Sequence, residues 1–140
     1  MSYKNPLLLG TKLSLLWLFA ILNILFRDVH ELTMSSTIEE ILTGHLNGVA
    51  MSEGLLVVGA IIVELLLLGF LFSSFARPSI ARRLNLFLAP IAILGTLASR
   101  PSDPDDFIFA AIEIVTFCVI WWLAWGWETK PLEETAIEAS

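Results

Sequence analysis

The chain has one cysteine and few basic residues among its 140 residues. Cys118 cannot form an internal disulfide, and a single thiol in an apolar segment says nothing about the redox compartment. Lysine and arginine together number 8 against 14 aspartates and glutamates, which gives a formal net charge of -6. No basic run occurs outside residues 77–83. The composition therefore argues against nucleic-acid binding.

Side chains that commonly carry out chemistry are also scarce. The two histidines, His30 and His45, make no recognisable nucleophilic triad with one cysteine. Together with Glu31 and Glu53 they could be considered as metal ligands, but no His-x-x-x-His or Glu-x-x-His spacing is present. The sequence also lacks a glycine-rich phosphate loop. It therefore predicts no metal site and no other cofactor.

Apolar sequence is what the chain has in excess. Hydrophobic residues make up 56% of it and the mean hydropathy is +0.80, whereas roughly 45–50% apolar is usual for soluble domains. A soluble four-helix bundle would show a polar stripe along each helix, and Leu55–Phe72 has none. Four segments approach the roughly 20 residues needed to cross a bilayer: Lys12–Leu32, Ser52–Phe75, Ile80–Ala98 and Phe107–Trp127. The sequence thus predicts an all-α fold, a four-helix transmembrane bundle forming one domain over residues 1–127.

The basic residues predict the orientation of this bundle. They concentrate at the N-terminus, in the second connection and after the last segment: Lys4, Lys12, Arg77, Arg82, Arg83 and Lys130. The first and third connections hold only Arg27 and Arg100 against many acids. The positive-inside rule therefore places both termini in the cytoplasm, and five tryptophans would form an interfacial belt on that side: Trp17, Trp121, Trp122, Trp125 and Trp127. Because no small-residue cleavage site follows the first segment, we expect it to be retained, in a bacterial cytoplasmic membrane or its equivalent.

The connection between the first two segments, about residues 33–51, is the longest of the three. Ser36 and Thr37 each have a glutamate three residues later, which is the capping-box spacing, and Gly44 ends the apolar pattern that follows. We therefore expect a short helix lying on the membrane surface. At the other end of the chain, residues 128–140 are acidic and polar and are predicted to be a disordered cytoplasmic tail.

Four polar side chains within the apolar segments form one predicted set: Asn23, Arg27, Glu64 and Glu113. An acidic side chain at such depth is costly enough to need a partner or a purpose. At about 1.5 Å of rise per residue, Asn23 and Glu64 lie near the midplane, whereas Arg27 and Glu113 lie higher, roughly 20 Å above the inner surface. Equal depth predicts that Arg27 pairs with Glu113 across the first and fourth helices, and it matches Asn23 with Glu64.

More polar residues extend this set toward the outer surface. Asn23, Arg27 and His30 share one helix face with Glu31, at i, i+4, i+7 and i+8. The predicted cluster at the outer mouth comprises His30, Glu31, His45 and Glu53. These polar groups either bridge the helices or line a small outward-opening cavity for a proton, an ion or a polar head group. The ion pair favours the structural interpretation, and for Glu64 both stay open.

Several short motifs resemble a known family. They are Thr11–Trp17, Leu22–Asp28, the mid-helix Glu64 and the Arg83–Asn85 junction. Together they resemble an uncharacterised family of small four-helix integral membrane proteins, mostly bacterial, and more distantly the DoxX-type proteins. The resemblance covers about residues 11–127. It implies a four-helix fold and a membrane location, and it carries over no catalytic or ligand-binding residue.

The sequence favours two functional interpretations over a third, a membrane-embedded enzyme, because it shows no recognisable group of catalytic residues. In the first, an intramembrane polar pocket formed by Asn23, Arg27, Glu64 and Glu113 binds or passes a small polar or lipid-like ligand. In the second, the chain is an accessory or assembly subunit of a larger membrane complex with no ligand of its own. The expected partners are membrane lipids and either another membrane protein or further copies of this chain.

Overall fold

A computed structural model describes residues 6–46, 48–99 and 103–127 of the chain. The described residues form five helices and a small hairpin: α1 Pro6–Glu31, α2 Ser35–Leu42, β1 His45–Leu46, β2 Val49–Ala50, α3 Glu53–Phe75, α4 Pro78–Ala98 and α5 Pro104–Trp125. Four of these helices, α1, α3, α4 and α5, are long and apolar enough to cross a membrane. The predicted bundle of four long apolar helices, with a short helix between the first two, is confirmed. Lys4, Arg100, Lys130 and the predicted tail lie outside the described residues.

The four long helices form a closed ring. Each packs against two neighbours in the order α1, α3, α4, α5, and α1 and α4 touch only slightly across the centre. Consecutive long helices run in opposite directions, so the bundle has two distinct ends. We call them the α2 end, where α1 and α4 finish, and the α3–α4 end, where α3 passes into α4 through Ala76 and Arg77.

Local sequence explains where the helices start. Ser52 caps α3 by accepting a hydrogen bond from the Leu55 amide at 3.2 Å. Proline stands in the first turn of α4 and of α5, where its missing N–H costs nothing. Prolines also move predicted helix starts outward: α1, for example, begins at Pro6 rather than Lys12, and α5 begins at Pro104 rather than Phe107.

The first connection forms the predicted short helix, but without the predicted side-chain cap. The residue preceding α2 is Met34, which makes no side-chain capping hydrogen bond, so the capping-box prediction is wrong. Gly44 follows the helix with φ 77°, a left-handed conformation that glycine adopts without strain. The chain then turns through β1 and β2, an antiparallel pair that the sequence analysis did not predict, with Gly48 at φ 72°.

Trp17 lies in the buried core of the bundle, toward the α3–α4 end. This side chain is fully buried, contacts Phe117 with ring centroids 5.5 Å apart, and lies flat against Gly69 of α3. A Cβ at Gly69 would stand 2.7 Å from the Trp17 ring. Trp17 and the buried Trp127 therefore do not belong to an interfacial belt, which corrects that part of the prediction.

Trp17 also takes part in a buried polar network in the same region. Its indole N–H donates to Asn85 Oδ1 at 2.7 Å, and the Asn85 amide donates to the Ala81 carbonyl at 2.8 Å. The Asn85 amide also donates to the Ser73 hydroxyl at 2.9 Å. These bonds link α1, α3 and α4. They also give the buried Asn85 amide the hydrogen-bond partners that it would otherwise lack.

Burial along α3 is uneven. Leu66, Gly69 and Ser73, all in the half near α4, are its buried residues. Every residue from 53 to 64 is exposed, in contrast to α5, where burial extends from Asp106 to Ala124. The half of α3 near the α2 end therefore packs only loosely against the rest of the bundle.

Candidate functional site

Glu113 of α5 is the centre of a buried polar cluster. Its carboxylate is 1% exposed and is met by groups from two other helices. The Thr96 hydroxyl of α4 donates to Oε2 at 2.9 Å. Arg27 Nη1 of α1 lies 3.2 Å from Oε1, and Asn23 Nδ2 donates to Oε1 at 3.4 Å and to the Phe109 carbonyl at 3.2 Å. We call Asn23, Arg27, Thr96 and Glu113 the Glu113 cluster.

Helix periodicity explains how these side chains meet. Asn23 and Arg27 are four residues apart on α1 and so lie one above the other on the same face. Thr96 extends the buried face of α4, on which Asn85 and Ala92 also lie. The predicted contact between Arg27 and Glu113 is confirmed by this geometry. Asn23 joins the same pair instead of Glu64, with which its depth had matched it.

Glu64 does not belong to this cluster. It is exposed, and it makes no hydrogen bond or ion pair with any described residue. Leu66, which faces the core, lies two residues further along α3, about 200° around the helix axis. The carboxyl of Glu64 therefore points away from the bundle. Counting residues along a helix gives the height of a side chain but not the direction in which it points. The predicted match of Asn23 with Glu64 is wrong for this reason.

A cavity of about 330 Å³ opens above the Glu113 cluster at the α2 end. Its floor is Arg27, whose side chain is 11% exposed. The roof consists of Thr37 and Ile41 of α2 and Leu46 of β1. The full lining is Arg27, Asp28, Glu31, Leu32, Thr37, Ile41, Leu46, Ser99 and Asp106. We refer to it as the α2-end cavity.

Carboxylates dominate the charge around this cavity. Asp28, Glu31 and Asp106 all line it. Asp28 Oδ1 stands 3.8 Å from Arg27 Nε. Arg27, the cationic side chain in the lining, is already paired with Glu113 from below. The cavity therefore carries an excess of negative formal charge.

The residues predicted at the outer mouth have separate positions. Glu31 lines the α2-end cavity. His30 instead lies beside Asp105, with Nε2 3.1 Å from Oδ2. His45 Nδ1 lies 3.0 Å from the Thr43 carbonyl on the exposed surface, and Glu53 is exposed at the start of α3. No group of three or more potential metal ligands occurs within the described ranges.

Sequence reasoning missed several residues that the structure places at the site. Asp28 and Asp106 line the cavity, Ser99 lies at its edge, and Thr96 bonds to Glu113. A signal existed for Thr96, which follows Asn85 by three helical turns on a helix face otherwise rich in alanine. Asp106 gave a weaker signal in the sequence, since an acid in a first helical turn is normally explained by the helix dipole alone.

The arrangement combines a rigid polar network with a charged cavity beside it. The Glu113 cluster has its hydrogen-bonding groups satisfied from three helices, which is typical of a rigid structural network. Carboxylates in the cavity act as acceptors for cationic groups. Leu32, Ile41 and Leu46 add an apolar surface beside them. The site therefore offers separate surfaces for a charged group and for a short apolar group.

A comparison of sequences gives the family of the chain. Residues 9–134 match the family of unknown function DUF6326. The match spans most of the chain, so the chain belongs to this family, and the resemblance to an uncharacterised family is confirmed. No curated protein and no solved structure matches the chain. The more distant likeness to DoxX-type proteins stays a prediction.

Proposed function

We propose that this member of a family without a known function binds a small, positively charged polar or amphipathic molecule in the α2-end cavity. One observation carries the proposal: three carboxylates line the cavity, whereas its arginine is already paired with Glu113. A cationic group would supply the charge that the lining lacks. The best-matched ligand class is therefore a small organic amine.

The size and the roof of the cavity support this choice. A volume of about 330 Å³ falls at the lower end of the range for small-molecule sites, about 300–1,000 Å³. Ile41 of α2 and Leu46 of β1 give the roof an apolar surface, so an amine with a short hydrocarbon part fits better than a bare ion. The Glu113 cluster serves as a rigid floor in this proposal, and α2, which buries none of its residues, serves as a cover.

We further propose that both chain termini lie in the cytoplasm and that the α2-end cavity opens to the outside. Lys12, Arg77, Arg82 and Arg83 are located at the opposite end of the bundle, as the positive-inside rule requires of the cytoplasmic side. The exposed Trp122 and Trp125 lie at that end too. The ligand would then reach the cavity from outside a cytoplasmic membrane.

The test compares a diamine with a dianion of similar length. Purified protein in lipid nanodiscs would be titrated with putrescine, with adipate as the matched control, and its thermal unfolding midpoint followed. We expect putrescine to raise the midpoint because a ligand that binds the folded state stabilises it, and adipate to leave it unchanged. Equal shifts with both compounds, or none with putrescine, would contradict the proposal.

Variants locate the effect within the protein. Asp28→Asn removes a charge from the lining and should weaken putrescine binding several-fold. Asp105→Asn is the matched control, since Asp105 lies on the same end of the bundle beside His30 and outside the lining. A loss of binding in Asp105→Asn as large as in Asp28→Asn would show that only the general surface charge matters.

An accessory subunit is a second candidate, and α3 favours it. Residues 53–64 are exposed, including the large apolar Leu56 and Val57, which are 63% and 57% exposed. Such a surface fits contact with another protein in the membrane as well as contact with lipid. Copurification of one partner in fixed ratio from native membranes, together with no response to putrescine, would favour this candidate over the first.

A further inference from the structure

The outward face of α3 carries a carboxyl that this chain leaves without a partner. Glu64 makes no hydrogen bond or ion pair with any described residue, and it lies near the middle of a helix long and apolar enough to span a membrane. Exposed apolar residues flank it on both sides, including Ile61 and Leu68. Ionisable groups within membrane spans are rare and almost always face a protein interior or a water-filled cavity. The exposed position of Glu64 therefore calls for a partner.

The residues that share this direction form a continuous stripe along α3. Val57, Glu64 and Leu71 follow a spacing of seven, with Ala60 and Leu67 between them, which is the repeat of two helices packed side by side. Val57 and Leu71 are 57% and 45% exposed. We call Val57, Ala60, Glu64, Leu67 and Leu71 the Glu64 face. It lies opposite Leu66 and Gly69, which pack into the bundle.

We propose that the Glu64 face is the contact with a second copy of this chain, in which two α3 helices pack together and their Glu64 carboxyls hydrogen-bond to each other. Interhelical hydrogen bonds of this kind stabilise helix pairs in lipid. Ala60, one turn from Glu64, provides the small side chain that lets two helix backbones approach closely.

A second copy fits this face better than an unrelated partner for a reason of symmetry. A two-fold axis along the membrane normal places identical residues of both copies at the same depth, so Glu64 meets Glu64 without further adjustment. A carboxyl that carries a proton is both donor and acceptor, and can therefore pair with itself. Two arginines or two lysines in that position could not.

The apolar groove on the other side of α3 contrasts with the Glu64 face. A groove of about 270 Å³ between α3 and α4 is lined by Ile62, Leu66, Leu88 and further apolar residues. Lipid chains can cover such a surface without leaving any polar group unsatisfied. The Glu64 face and the groove are both exposed parts of the same helix, but the Glu64 face alone contains a group that lipid cannot satisfy.

Cysteine cross-linking in native membranes tests the contact. In a Cys118→Ser background, Ala60→Cys places a thiol on the Glu64 face, and Ile62→Cys places one in the groove as the matched control. We expect oxidation to yield a product of twice the chain mass several-fold more readily from Ala60→Cys than from Ile62→Cys. Equal yields, no dimer, or a product with a different protein would each overturn the proposal.

Substitution of Glu64 itself tests the role of the carboxyl. Glu64→Gln keeps a self-complementary donor and acceptor, whereas Glu64→Leu removes both. We expect Glu64→Leu to weaken dimerisation in lipid about ten-fold and Glu64→Gln to weaken it much less. If Glu64→Leu dimerises as well as the parent, the proposal fails. The putrescine response of the α2-end cavity should be unchanged in both variants, so the two proposals fail separately.

Discussion

Glu113 and Glu64 are both single carboxylates in long apolar helices, and the bundle surrounds them in opposite ways. Glu113 is 1% exposed and has polar partners on two other helices. Glu64 is exposed and has none within the described part of the chain. The difference lies in the neighbours that each helix has: α5 packs along its whole length, whereas α3 packs along one half. The buried carboxylate therefore takes part in the internal packing of the bundle, whereas the exposed one takes no part in it within the described residues.

The strongest test of this comparison removes the charges. Arg27→Ala leaves Glu113 buried without its counterion, and Glu113→Ala does the same to Arg27. We expect each to lower the free energy of unfolding by about 3–5 kcal/mol, and the double variant to lose less than the sum. SDS titration of the purified protein measures these values. Additive losses would show that the two groups do not interact.

Glu64→Ala is the matched control for Glu113→Ala. In detergent that holds the chain as a monomer, we expect this variant to unfold at the same SDS concentration as the parent. Its carboxyl has no partner within the described part of the monomer, so nothing in the bundle is lost. A destabilisation comparable to that of Glu113→Ala would mean that Glu64 has an internal role.

The two halves of α3 allow a second test with the same substitution. Gly69→Ala would place a Cβ 2.7 Å from the Trp17 ring, whereas at Gly59 no atom of another helix lies within 4 Å of the corresponding position. We expect Gly69→Ala to cost about 1–3 kcal/mol through overpacking. Gly59→Ala should stabilise the helix slightly, because alanine is the better helix former. Equal effects in SDS titration would contradict the uneven packing of α3.

A smaller loss of stability is expected when one hydroxyl is removed from the Glu113 cluster. Thr96→Val removes the hydrogen bond to Glu113 and should cost about 1–2 kcal/mol. Thr116→Val is the control, since Thr116 is equally buried, at 6%, and donates to the Ile112 carbonyl of its own helix. That variant should cost less, because the acceptor already takes part in the helix ladder. A larger loss of stability for Thr116→Val than for Thr96→Val would contradict the role of Thr96 in the Glu113 cluster.

Much of the candidate site could be predicted, because depth in a membrane follows from counting residues along a helix. The pairing of Arg27 with Glu113 needed only this count. The cavity could not be predicted in the same way. Its roof comes from α2 and β1, and their position depends on the turns at Gly44 and Gly48. Asp28 and Asp106 come together there from two different helices, and no spacing in the sequence indicates that meeting.

By itself the sequence determined the number of long helices, their approximate limits and the position of each polar group along its helix. These properties depend on hydrophobic length and on the fixed rise of the helix. Only the tertiary structure decided which way each helix faces. A helix that is apolar on every side, such as α3, can turn any face inward at nearly equal cost in hydrophobic burial. Contacts such as Trp17 against Gly69 select the rotation, and that rotation turns Glu64 outward.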